Sequence, residues 1–215
     1  MKEKYKWIFR AKEQENGVLP FFKTWKIPEG TARILQRRGI CTEEALRHFL
    51  KDTMADLADP FLMKGMPEAV QRIQRALEQN EKIVIYGDYD VDGITATSIL
   101  YRFFHRLGAD IGFYIPGREG EGYGLNAGAV EKLCGESYQL LITVDCGISS
   151  ADLIDTWADR MDFIVTDHHV PPETLPSRAV AVINPHQADC GYPYKELAGC
   201  GVAYTLCRAL WKQMR

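Results

Sequence analysis

Lys82-Ile83-Val84-Ile85-Tyr86-Gly87-Asp88-Tyr89-Asp90-Val91-Asp92-Gly93 opens as a short apolar run and closes in three aspartates at alternate positions, with a glycine on either side of them. The run has the character of a buried strand, and Ile94 to Leu107 has that of the helix following it. The carboxylates would then stand at the carboxyl end of a strand, where open parallel sheets place their ligands. Three acids crowded there repel one another unless a cation neutralises them, which points to a divalent-metal site. A solvated acidic turn is the alternative that this stretch alone leaves open.

Outward from this stretch, the chain after Asn80 alternates strands with helices. Strand candidates are 82–87, 110–115, 139–144, 162–166 and 179–183, each dominated by Val, Ile, Leu, Phe or Tyr. Helical stretches lie between them at 94–107, about 126–134 and 149–160. The alternation predicts an α/β fold, a mostly parallel five-stranded sheet flanked by helices on both faces. Upstream, Pro67 to Gln79 carries Val70, Ile73 and Leu77 on one helical face. Residues 1–65 read as an N-terminal arm and helical appendage. Trp7, Phe9, Phe21, Phe22 and Trp25 stand there without a sustained period, and helices are expected over Thr31 to Arg38 and Thr42 to Leu50. Arg37 and Arg38 either touch phosphate or form a solvated helix end. Residues 66–215 make the second domain. Its last helix, from Val202, reaches Arg215 with no Gly, Pro or polar close, so the chain reads as cut.

Composition excludes several classes. The apolar share of 46% is ordinary for a globular protein with a core, and no stretch is apolar for the length of a membrane span. The first six residues are too charged for a signal peptide, and a cytoplasmic protein is expected. Six cysteines without a C-x-x-C pair suit reduced thiols better than a disulfide frame or a zinc site. A net charge of -3 argues against a protein that coats nucleic acid, but not against an enzyme gripping a strand in one groove.

Two further strand ends carry metal-competent residues. Leu140 to Val144 runs into Asp145-Cys146-Gly147, and Phe163 to Thr166 runs into Asp167-His168-His169. A lone aspartate at a strand end is often a helix cap, and a His pair is often a surface turn. Three strand ends converging on one edge favour a two-metal site, and carboxylate with imidazole suits Mn²⁺ or a similar ion.

Gly87-Asp88-Tyr89-Asp90-Val91-Asp92-Gly93, Thr143-Val144-Asp145-Cys146-Gly147 and Asp167-His168-His169 resemble the first three motifs of the DHH phosphoesterase superfamily. Arg118 to Leu125, Ile183-Asn184-Pro185-His186 and Tyr192 to Tyr204 resemble the branch of it made of single-strand-specific DNA exonucleases. The resemblance runs from about residue 66 to the end. It implies 5′-to-3′ hydrolysis of single-stranded DNA in repair and recombination, with two Mn²⁺ or Mg²⁺ ions. It also suggests a repair helicase or single-strand-binding protein as partner. Two cations about 3.5–4 Å apart hold an attacking hydroxide and stabilise the leaving oxygen in an in-line displacement.

The roles implied are specific. Asp145 is the candidate bridge between both ions, and Asp90 and Asp92 would face different metals because alternate residues leaving a strand point apart. Asp88 is a further ligand or a hydrogen-bond acceptor behind the ligands. His168 ligates through one ring nitrogen. His169 meets the scissile phosphate, donating to oxygens that gain charge in the transition state. Asp167 holds a histidine in its required tautomer. Arg118 offers a bidentate fork to phosphate or makes a surface salt bridge, and Tyr123 stacks on a base or packs under its loop. His186 reads as a structural turn residue, and His48 and His105 as structural helix residues.

Members of this superfamily carry a fourth motif with another metal-binding aspartate and then a C-terminal substrate-binding domain. Neither is found in these 215 residues, so the chain is expected to be an N-terminal fragment with weak or absent nuclease activity. Two other functions stay open: a phosphodiesterase for short oligonucleotides or cyclic dinucleotides, and a non-catalytic adaptor of the same fold.

Overall fold

Strand β1 (Ile83–Gly87) is buried along its whole length, and its side chains divide between two cores as the period of two requires. Ile83 and Ile85 join one apolar cluster, whereas Val84 and Tyr86 join another on the opposite face. A computed structural model of the chain describes residues 17–51, 53–117 and 124–214. In it β1 pairs in parallel with β2 (Ile111–Tyr114) and β3 (Leu140–Val144); β4 (Asp162–Thr166) and β5 (Ala181–Ile183) extend the sheet in the order β2-β1-β3-β4-β5, and every pairing is parallel.

Helices α4 (Met66–Glu78), α5 (Val91–Arg106) and α8 (Gly199–Gln213) supply residues such as Ile73, Leu100 and Leu206 to the first cluster. Helices α6 (Ala127–Gly135) and α7 (Ala151–Trp157) supply Val130 and Ile154 to the second. Each fully buried Ile, Leu or Phe is worth roughly 1.5–3 kcal/mol relative to exposure, so the two clusters hold the three layers together. The five strands and the flanking helices follow the sequence expectation, with ends shifted by a few residues.

The chain divides into the units Met1–Leu57 and Ala58–Arg215. Ala58 to Gly65 belongs to the second unit, ahead of the 65/66 boundary expected from the sequence. Met63 is fully buried in the core beside Met66, and Arg208 Nη1 donates to Ala58 O. In the first unit, α1 (Pro20–Thr24), α2 (Glu29–Arg37) and α3 (Glu43–Lys51) close around Phe22, Ala32, Leu35 and Leu46. Phe21, Phe22 and Trp25 thus seal this small core, while Trp7 and Phe9 lie outside the described residues. All six cysteines are unpaired thiols. No helix among the described residues is long and apolar enough to cross a membrane.

The register decides what meets at the carboxyl edge. Gly87 lies opposite Val144, Val144 opposite Thr166, and Thr166 opposite Ile183. The next residues along the four strands, Asp88, Asp145, Asp167 and Asn184, are therefore brought side by side. Crossovers leave β1 in one direction and return to β3 on its other side. The crevice between Asp88 and Asp145 is thus the point where the strand order reverses, where such sheets bind ligands.

Candidate metal centre

Asp88 follows β1 directly and is 4% exposed. Its Oδ1 is buried and has no hydrogen-bond partner, and burial raises its pKa above the usual carboxylate range. Asp90 is the exposed N-cap of α5, where its Oδ1 accepts from the backbone N–H groups of Asp92 and Gly93 at 2.8 and 3.0 Å. The helix starts at Val91 instead of the expected Ile94, because an aspartate cap satisfies the first amides. Strand alternation therefore does not separate Asp90 from Asp92; both belong to a helix start. Gly93 is required by a close approach, since a Cβ there would stand 2.4 Å from Asp88 O.

Asp92 reaches across the molecule. Its Oδ2 accepts from Gly199 N at 2.7 Å and its Oδ1 from Cys200 N at 2.8 Å, so it caps the N-terminus of α8. Burial pushes its pKa up, but the Cys200 and Gly199 donors outweigh this and hold it below the usual value. Those donors explain why α8 begins at Gly199 and not at Val202: its own N-cap, Ala198, offers no side-chain acceptor. Gly199 also packs so closely on Asp145 that a Cβ would lie 2.6 Å from Asp145 Oδ1.

Asp145 follows β3 with φ +61°, a left-handed backbone that aspartate tolerates better than most residues. It is 2% exposed. His168 Nε2 stands 3.1 Å from its Oδ1, yet the approach misses hydrogen-bond geometry and that oxygen is left without a donor. Burial first, then the charges of Asp92 and Asp90, push its pKa up to about 7. A buried carboxylate with this character is destabilised in its charged form until a cation reaches it.

Asp167 is buried and fully committed. Its Oδ1 accepts from the backbone N–H groups of His168 and His169 at 2.7 and 3.1 Å and lies 2.7 Å from His169 Nδ1, while Oδ2 accepts from Ile148 N at 3.0 Å. This carboxylate shapes the turn and fixes the His169 ring, with Nδ1 as the nitrogen turned towards it. Burial alone would lower the His169 pKa, but the Asp167 hydrogen bond and the surrounding carboxylates raise it. His168 Nε2 is 3.7 Å from Asp92 Oδ2, and the two imidazole centroids are 4.6 Å apart.

Two groups of ligand-type atoms result, Asp88 with Asp90 and Asp145, and Asp145 with His168 and His169; within each group the atoms lie within 4.8 Å of one another. Asp145 belongs to both. The orphaned buried oxygens of Asp88 and Asp145 show that this donor set fits hard divalent cations. Arg118 and Tyr123 lie outside the described residues. His186 stays out of both groups, its backbone N–H donating to Asn184 Oδ1 at 2.8 Å. His105 sits in the last turn of α5, opposite the end that carries Asp90, and His48 lies in the first unit. Asn184 was quoted from the sequence only as part of the Ile183 to His186 segment and was given no role of its own. It is fully buried just after β5 and its Nδ2 donates to His169 O at 2.9 Å, so it braces the same turn as Asp167. Its place immediately after the last strand was the available signal.

The DHH family, N-terminal domain, matches residues 82–215. The chain is 43% identical over 208 residues to the single-stranded-DNA-specific exonuclease RecJ of Bacillus subtilis, an alignment covering 96% of this chain and 26% of that protein. It superposes on a crystal structure of RecJ in complex with Mn²⁺ from Thermus thermophilus with a TM-score of 0.70 and 30% identity, covering 93% of this chain and 28% of the other. A crystal structure of exonuclease RecJ bound to manganese gives a TM-score of 0.65 and 37% identity, over 71% of this chain and 38% of the other. The chain thus spans about a quarter of the length of the Bacillus relative.

Proposed function

This chain belongs to the DHH family, and on that premise we propose that it hydrolyses phosphodiester bonds of single-stranded DNA from the 5′ end with two divalent cations, Mn²⁺ or Mg²⁺. The observation that carries the proposal is the pair of ligand groups joined at Asp145, whose buried Oδ1 has no hydrogen-bond donor. The similarity to single-strand-specific exonucleases, two of them in manganese-bound structures, supports the substrate and the metal.

Asp88, Asp90 and Asp145 would hold one ion, and Asp145 with His168 the other, with Asp92 close enough to His168 to complete that set. When bound, the ions supply Lewis-acid activation of water and charge neutralisation at the phosphate. The chain's own groups do the rest. Asp167 takes the Nδ1 side of His169 and leaves Nε2 as the nitrogen that donates to a phosphate oxygen as its charge grows. The raised His169 pKa keeps that donor protonated to higher pH. Asp92 supports the same centre by locking α8, whose Gly199 forms the floor under Asp145.

A repair helicase or single-strand-binding protein is the partner that such an activity calls for, since duplex DNA must be opened to present a strand. A cytoplasmic location accords with that substrate. The test compares the protein expressed from its intact gene with its Asp145→Ala variant on 5′-labelled long single strands, dinucleotides and cyclic dinucleotides during an Mn²⁺ titration. The expected result is Mn²⁺-dependent shortening of the long strand from its 5′ end, lost in the variant. Turnover confined to dinucleotides would replace the proposal with the small-substrate phosphodiesterase, and no turnover at any Mn²⁺ concentration would favour the adaptor.

A further inference from the structure

Strand β2 forms one edge of the sheet and pairs only with β1 among the described strands. Its Phe113 is 58% exposed, although phenylalanine is among the residues most often buried. The ring meets Tyr101 of α5 edge-on at 5.6 Å, and Tyr101 stacks on His105 at 5.9 Å, so three rings form a row along the flank of the domain. We propose that this row, with Arg102 and Arg106 beside it, is a second contact surface for single-stranded DNA, holding the part of the strand that extends beyond the metal centre. The inference rests on the phosphodiesterase reading above and adds to it a track outside the metal cleft.

Charge decides the occupant. Tyr101 with His105 and Arg102 with Arg106 are i, i+4 pairs on neighbouring faces of α5, so the cations flank the rings. Arg102, His105 and Arg106 are all exposed. The other described arginines of the second unit are engaged: Arg72, Arg75 and Arg178 with carboxylates, Arg160 over the Trp157 ring, and Arg208 with Ala58 O. Arg102 and Arg106 make no ion pair or hydrogen bond among the described residues. Asp110, just before β2, is the only acid from Gly93 to Gly117. Two uncommitted cations in an acid-poor stretch, on a chain of net charge -3, attract a polyanion, and exposed rings beside them take unpaired bases by stacking. A duplex keeps its base faces covered, so the rings select a single strand.

The position of the strip suits that role. Tyr86 lies opposite Tyr114 in the register, so the carboxyl end of β2 stands beside the segment that delivers Asp88 to the metals. From the Asp90 cap, Tyr101 and Arg106 lie about 16 and about 24 Å along the axis of α5, at a rise of about 1.5 Å per residue. A long strand engaged at the metals reaches that far, whereas a dinucleotide does not. Both contacts ride on one helix: Asp90 caps its first turn, and the rings and arginines occupy its last two.

The test uses the protein expressed from its intact gene, a long oligothymidylate and a thymidine dinucleotide. Binding of the long strand is followed by fluorescence anisotropy in chelator across a salt titration, and hydrolysis of both substrates is followed with Mn²⁺. Arg102→Gln/Arg106→Gln removes both charges, Arg102→Lys/Arg106→Lys keeps them, and Phe113→Thr removes the exposed ring while keeping strand propensity. We expect the Gln pair to weaken long-strand binding about tenfold at low salt and to flatten the logarithmic salt dependence by about 1.4 in slope, roughly 0.7 per phosphate contact. The Lys pair should keep the parent's slope. Phe113→Thr should weaken binding about fivefold, the low end of base stacking on an aromatic ring, with the slope unchanged. In hydrolysis, KM for the long strand should rise in parallel in the Gln pair and in Phe113→Thr, while kcat and turnover of the dinucleotide stay within about twofold of the parent. A Gln pair with the parent's affinity and slope would overturn the strip as a DNA surface. An equal loss on the dinucleotide would overturn it as well, since that substrate cannot reach the last turns of α5. Arginine-dependent binding by a parent that hydrolyses neither substrate would keep the strip and overturn the phosphodiesterase reading instead.

Discussion

Replacing Asp145 with asparagine should stabilise the metal-free protein at alkaline pH, the reverse of what removing a site residue usually does. The carboxyl is 2% exposed, its Oδ1 has no donor, and its pKa stands at about 7 against an ordinary 3.8. In the window between those values the folded chain binds a proton that the unfolded chain releases. The unfolding free energy therefore falls as pH rises through the window and levels off above it. A difference of about 3 units corresponds to about 4 kcal/mol at 1.36 kcal/mol per unit. Asparagine keeps the size, tolerates the left-handed backbone at φ +61°, and carries no charge to desolvate. For a domain of this size about 4 kcal/mol is equivalent to roughly 8–16 °C in melting temperature. The assay is thermal or urea unfolding of chelator-treated parent and Asp145→Asn between pH 4.5 and 8.5. The variant should gain on the parent steadily with pH and match it near pH 4. Added Mn²⁺ should reverse the order at pH 8, because only the parent offers a charged carboxylate at position 145, the one shared by both ligand groups. A variant less stable than the metal-free parent at pH 8, or a difference that does not move with pH, would refute the argument.

Asp92→Ala should free the Gly199 and Cys200 amides, lower stability by about 1–2 kcal/mol as loss of a helix cap does, and speed hydrogen exchange in the first turn of α8. The Asp92 pKa is depressed, so that contribution is present at neutral pH and disappears as pH falls through the carboxylate range; parent and variant should converge in acid. Asp167→Asn should move the His169 titration, followed by NMR, to lower pH, since the hydrogen bond and charge that raise it are removed. An unchanged His169 titration would show that Asp167 does not govern the ring.

Much of the site was readable one strand at a time. Each of β1, β3 and β4 is an apolar run ending in acids or histidines, and a parallel sheet must gather such ends on one edge, so Asp88, Asp145 and the Asp167-His168-His169 turn could be placed together from composition and order alone. Division of labour within the site was less legible. Asp90 and Asp92 look equivalent in sequence, yet one caps its own helix and the other caps a helix more than a hundred residues away. The start of α8 was missed for the same reason: a helix capped by a distant side chain carries no local cap signal.

The sequence by itself determined the alternation of strands and helices, the parallel sheet, and the presence of carboxylates and imidazoles at the ends of its strands, because these depend on local periodicity and side-chain chemistry. Only the tertiary structure decided which of those residues have spare lone pairs. It set the register that aligns Asp88, Asp145, Asp167 and Asn184. It committed the Asp167 carboxylate to backbone amides and His169, turned Asp92 towards α8, and left Asp88 and Asp145 each with a buried oxygen that has no donor. Whether a carboxylate is satisfied depends on donors brought in from remote parts of the chain, and those are fixed only when the layers pack.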